Sequence, residues 1–89
     1  MNRPIVFQGS GWEDYLYWQT QDRKTLKRIN HLIKDIDRNE YDGIGKPESL
    51  TGDFTGFWSR RIDSINRLVY RIKDNKIEIA QCKGHYNND

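Results

Sequence analysis

The sequence has one cysteine, Cys82. That excludes an internal disulfide and a cysteine-rich metal site, and it suits a reducing compartment. There is no apolar run near 18 residues, so no helical membrane span is expected. The opening "MNRPIVFQGS" lacks the apolar core of a signal peptide, which makes the cytoplasm the expected location. There is no repeat, low-complexity tract or linker. With 89 residues, the expectation is one domain spanning residues 1–89. A domain of this size buries only about two-thirds of its unfolded surface. Its stability should be on the order of 5–12 kcal/mol.

The net charge is small, +2, but it is unevenly spread. Residues 1–57 carry 8 Lys/Arg against 9 Asp/Glu. Residues 58–86 carry 7 (Arg60, Arg61, Arg67, Arg71, Lys73, Lys76, Lys83) against 3 (Asp63, Asp74, Glu78). A basic C-terminal third points to an anionic partner, with nucleic acid as the first candidate. A solvated sheet face is the plainer alternative.

"PIVF" reads as a short strand. "SGWE" follows, with Ser10 placed as a helix cap and Glu13 completing a capping box. The helix over about 11–20 is aromatic, and Trp12, Tyr15 and Leu16 form its expected core stripe. A second helix is expected over about 23–38, with Leu26, Ile29, Leu32, Ile33 and Ile36 on one face and His31 beside them at the surface. The short join "TQDR" implies an antiparallel hairpin. Residues 39–57 show neither helical nor strand period, and long irregular loops in small domains tend to be functional. "FWSRRID", "NRLVYRIK" and "IEIAQCK" read as an antiparallel meander with "DNK" as its tight turn. The fold class is α+β: an N-terminal strand, then an antiparallel helical hairpin packed on a twisted, mainly antiparallel sheet.

Alternation puts Leu68, Tyr70 and Ile72 on one side of their strand and Arg67, Val69 and Arg71 on the other. In the strand before, Arg60 and Ile62 share a face and Arg61 takes the opposite one. Arg61 and Arg67 can then meet across the hairpin. Two adjacent guanidiniums repel unless an anion lies between them, which suits a phosphate. The alternative is that each pairs with a nearby acid such as Asp63 or Glu78. Glu48, in the irregular stretch, and His85, after the last strand, are candidate proton carriers; the plainer alternative is that each has a structural or surface role. A carboxylate, an imidazole and paired Arg side chains make a set suited to RNA cleavage. One group takes the 2′-hydroxyl proton, another protonates the departing 5′-oxygen, and the cations hold the phosphorane charge. DNA lacks that nucleophile.

The strings "WEDYLYWQ", "KRINHLIKDI", "GIGKPESL", "GFWSRRID", "NRLVY" and the closing "HY" resemble, in order and spacing, the YoeB family within the RelE/ParE toxin superfamily. The resemblance spans about residues 5–86. It implies a RelE-like microbial-ribonuclease fold and the toxin half of a type II toxin–antitoxin pair. Such a toxin is a ribosome-dependent mRNA endonuclease acting in the ribosomal A site, without cofactor or metal. On the resemblance, Glu48 is the general base and His85 the general acid. Arg61 and Arg67 stabilise the phosphate and contact RNA. Tyr86 positions substrate, and Lys46 contacts RNA. The implied partners are the ribosome with its mRNA, a YefM-like antitoxin, operator DNA through the toxin–antitoxin complex, and a second copy of the toxin. The alternatives are a non-catalytic ribosome-binding module and a co-repressor acting with its antitoxin. The chain departs from the family pattern in two places. Ser49 and Thr51 stand where a Pro and a basic residue are common, and "NND" extends beyond the usual terminal Tyr.

Overall fold

The computed structural model describes residues 2–85. Strand β1 (Ile5–Phe7) leads into helices α1 (Gly9–Gln21) and α2 (Arg23–Asn39). Four strands follow: β2 (Glu48–Ser49), β3 (Trp58–Arg61), β4 (Arg67–Lys73) and β5 (Lys76–Gln81). The sheet order is β1-β5-β4-β3-β2. β1 runs parallel to β5, and the remaining pairs are antiparallel. The expected α+β architecture is therefore present, with both helices on one face of a mixed sheet.

α2 forms as its sequence dictates. Asp22 caps it, its carboxylate accepting from the Lys24 and Thr25 amides at 3.1 and 3.2 Å. Ile29, Leu32, Ile33 and Ile36 are buried and Leu26 partly so; His31 is exposed. Asp22 alone separates the two helices. Tyr15, before it, donates to Asn30, after it, at 2.8 Å, so the hairpin folds back on itself.

α1 differs from expectation at its start. Ser10 is not its cap: the helix begins at Gly9 and Gln8 takes the cap position without a side-chain bond. The cause is the tight join to β1. Gln8 still donates to the Ile79 carbonyl of β5 at 2.9 Å, while its own carbonyl accepts the first helical bond from Trp12. The core stripe also shifts. Trp12 is 45% exposed and the buried positions are Gly11 and Trp18. Gly11 sets this line. A β-carbon there would stand 2.4 Å from the Ile79 carbonyl oxygen, so the missing side chain lets α1 lie against β5. Trp12 instead joins Phe7 and Tyr15 in an aromatic cluster beside β1.

Residues 39–57 are more ordered than their lack of period suggests. Glu48 and Ser49 pair with Ser59 and Trp58, Gly52–Phe54 forms a 3₁₀ turn, and Leu50 is buried. Glu48 therefore sits on a strand rather than in a loop. Two residues are too few to show alternation.

Arg60 anchors this stretch from below. It is fully buried on the helix-facing side, as its shared face with Ile62 implies. Its guanidinium pairs with Asp35 and donates to the carbonyls of Glu40, Asp42 and Ile44 and to the Tyr70 hydroxyl. Burial alone would raise the Asp35 carboxyl. The Arg60 guanidinium, the Ile44 amide and Asn39 hold it below its ordinary value instead. Tyr41 stacks on Trp58 and accepts from the Ile72 amide at 2.9 Å, fixing the same segment.

Candidate active site

In an antiparallel pair, residues directly opposite share a face. The register Glu48↔Ser59, Ser59↔Val69 and Arg61↔Arg67 therefore places Glu48, Ser59, Arg61, Arg67 and Val69 on one face, away from the helices. Arg61 and Arg67 are cross-strand partners, as the sequence suggests. Like charges in that relation are destabilising by themselves.

The two cations differ in how they are held. Arg67 is half-buried and its Nη1 donates to the carbonyls of Asp63 and Asn66 at 2.8 and 3.1 Å. Arg61 is exposed, and among the described residues its side chain meets no acid. The neighbouring Arg71, by contrast, is committed: it pairs with Glu78 and lies 4.7 Å over the Phe57 ring. So, among the described residues, neither Arg61 nor Arg67 forms the ion pair that the alternative requires; Glu78 is taken by Arg71 instead.

The chain end reaches this face by two local devices. Val69 faces Gln81 whereas Tyr70 faces Ile79, so Ala80 is an extra residue on β5. Such a bulge reverses the alternation, turning Gln81 to the Arg67 side while Ile79 stays in the core. Gly84 then bends the chain at φ 76°, a conformation that suits a residue without a side chain.

Hydrogen bonds to α1 and to the β3–β4 turn hold the segment. The Trp18 indole donates to the Cys82 carbonyl at 2.8 Å, and Asp14 accepts from the Cys82 amide at 3.0 Å. The Arg67 amide donates to the Gly84 carbonyl at 3.0 Å, and Asn66 Oδ1 accepts from the Gly84 amide at 2.7 Å. His85 follows directly and is exposed. The backbone of Gly84 thus brings His85 beside Arg67. Cys82 itself is fully buried; burial, reinforced by the charge of Asp14, pushes its thiol up to about 12 and leaves it inert as a nucleophile.

Across the sheet the functional groups run in order: Glu48 on β2, Arg61 on β3, Arg67 on β4, then His85 beside Arg67. Along the strand order, Arg61 and Arg67 fall between Glu48 and the residue, Gly84, that precedes His85. That order suits in-line displacement at phosphorus, in which entering and leaving oxygens lie on opposite sides. Lys46 is exposed just before β2, at φ 51°. Tyr86 lies outside the described residues. Among those residues no group of three or more His, Cys, Asp or Glu side chains is gathered as a metal site.

Two groups that shape the site escape the sequence reading. Arg60 had a visible signal, a cation on the same face as Ile62. Asn66 had none, because its role depends on a bend in a different segment.

A family profile described as "YoeB-like toxin of bacterial type II toxin-antitoxin system" matches residues 7–86. The chain is 54% identical over 82 residues to the toxin YoeB of Streptomyces coelicolor, covering 92% of this chain and 98% of that one. Its fold is similar to the YoeB of a YoeB–YefM complex from Staphylococcus aureus, with a TM-score of 0.89 at 49% identity over 97% of this chain and 100% of that one. It is equally close to a YoeB dimer from the same organism, with a TM-score of 0.90 at 50% identity and the same coverage.

Proposed function

The chain belongs to the family of YoeB-like toxins of bacterial type II toxin–antitoxin systems, and from that premise we propose that it is a ribosome-dependent endoribonuclease that cuts mRNA in the A site. The observation that supports the reading is the Arg61–Arg67 cross-strand pair, on the face that also carries Glu48, with the Arg67 backbone bonded to the residue before His85. Two cations set against each other gain from a bound phosphate, and they gain more as negative charge grows in the transition state.

In this reading Glu48 takes the proton from the ribose 2′-hydroxyl. The freed oxygen attacks the adjacent phosphorus and forms a 2′,3′-cyclic phosphate. Arg61 and Arg67 bear the charge on the non-bridging oxygens. His85 gives its proton to the departing 5′-oxygen. Tyr86 positions the substrate and Lys46 contacts the RNA. No metal enters this route. The ribosome presents the mRNA, which places the action in the cytoplasm.

The partners follow from the relatives. YoeB of Staphylococcus aureus is found both with YefM and as a dimer. By extension this chain binds a YefM-like antitoxin, self-associates, and reaches operator DNA only within the toxin–antitoxin complex.

Primer extension on mRNA from a reconstituted translation reaction tests the activity. Cut ends within the A-site codon, absent when ribosomes are left out, are expected. Stalled translation with intact mRNA would overturn nuclease activity in favour of inhibition by occupancy.

A further inference from the structure

Asn66 lies in the turn between β3 and β4 and every one of its polar groups is engaged. Its Oδ1 accepts from the Gly84 amide at 2.7 Å. Its Nδ2 donates to both carboxylate oxygens of Asp63, at 3.2 and 3.0 Å. Its backbone amide donates to Asp63 at 2.6 Å, and its carbonyl accepts from the Ile62 amide at 3.0 Å and from Arg67 Nη1 at 3.1 Å. The side-chain amide has one consistent orientation: an ionised carboxylate only accepts and a peptide N–H only donates. Asp63 is held ionised. Burial pulls its carboxyl upward, but the Asn66 amides, the Ile65 amide and the charge of Arg67 together keep it below its ordinary value.

One side chain therefore touches the turn that holds the Arg67 guanidinium and the residue that precedes His85. We propose that Asn66 is a positioning residue that joins the phosphate-binding cation to the chain end bearing the acid, with Asp63 holding the Asn66 amide in place. The proposal rests on the nuclease reading above for its catalytic consequence, and on geometry alone for its structural one. Asparagine suits the position because it donates and accepts at once. Aspartate would face Asp63 with a second negative charge. Alanine would leave the Gly84 amide without its partner, free to swing about the φ of Gly84. A misplacement on the order of 1 Å at a reacting group costs about 100-fold.

Two measurements on the full chain test this. The first is amide hydrogen exchange of Asn66→Ala, with Asn66→Ser as a second variant too short to span both partners. Protection of the Gly84 amide should fall roughly tenfold or more while the Ile29 and Ile77 amides keep theirs. Unchanged Gly84 protection in a folded variant overturns the proposal, whatever the activity. The second is a double-mutant cycle on single-turnover cleavage. Asn66→Ala should slow cleavage roughly 10- to 100-fold at saturating ribosome, with the half-saturation point moved less than about threefold. In a His85→Gln background the same substitution should cost under about threefold. Fully multiplying losses overturn the link between Asn66 and His85. If His85→Gln itself cuts at the wild-type rate, the acid assignment fails, and the exchange result still judges the placement.

Discussion

The backbone amide of Arg67 donates to the carbonyl of Gly84 at 3.0 Å. This bond ties the residue before His85 to the strand that carries Arg67. Terminal residues are usually loosely held, but here the residue before His85 is bonded to the cation's own backbone. Gly84 is also the bend, at φ 76°, with open space around the position of a β-carbon.

Gly84→Ala is therefore expected to act through backbone conformation and not through a clash. A side chain in that region costs about 1–2 kcal/mol. The segment can relieve this strain by releasing its Gly84 contacts. The thermal midpoint should therefore fall by less than the response to strain felt by the whole fold, about 4–8 °C per kcal/mol, while cleavage falls by about tenfold. Thermal melts and primer extension on the same preparation check the two halves.

Arg60 carries the stability of the segment leading to Glu48. Removing one partner of a buried ion pair costs roughly 3–5 kcal/mol, and Arg60→Met also takes the Arg60 donor from the carbonyls of Asp42 and Ile44. Urea unfolding should show a loss of that size. A loss under about 1 kcal/mol would contradict the clamp.

Acid should weaken the fold through the same groups. The Asp35 and Asp63 carboxyls lie below their ordinary value in the folded chain. The unfolded chain therefore binds protons first as pH falls. The stability they contribute is complete above the ordinary carboxylate value of 3.8 and is lost as pH drops through it toward their lower folded values. Thermal midpoints measured from pH 7 to pH 3 should decline most at the acid end. Asp35→Asn should flatten that decline, starting from a lower midpoint.

Adjacent residues at the start of α1 should behave oppositely. Ser10 is exposed and makes no cap, so Ser10→Ala should change stability by less than about 0.5 kcal/mol. Gly11→Ala drives a methyl into the backbone of Ile79 and should cost about 1–3 kcal/mol. Denaturant midpoints of the two variants give the comparison.

These two residues also show how far the sequence could be read. α2 was legible because its apolar face, Leu26 to Ile36, repeats over about three turns; the Asp22 cap emerged only from the structure. The β4 and β5 strands were legible by alternation and by the two-residue turn at Asp74 and Asn75, whose φ values of 52° and 60° suit a hairpin. The start of α1 was not, because the capping pattern at Ser10 lost to a tight strand–helix join that only pairing with β5 reveals. The Arg61–Arg67 meeting followed from alternation once the hairpin was placed. The strand at Glu48 was too short to show a period. The route of the chain end was hidden because an extra residue at Ala80 reverses the alternation that a regular strand would keep.

The central claim is that a carboxylate, two guanidiniums and an imidazole on one face cut RNA. Single-turnover cleavage of A-site mRNA by His85→Gln, beside Glu48→Gln and the wild type, tests it most directly. Loss of a general acid or base should slow the reaction by roughly 10²–10⁴-fold with ribosome binding retained. Cleavage by both variants at the wild-type rate would contradict the account.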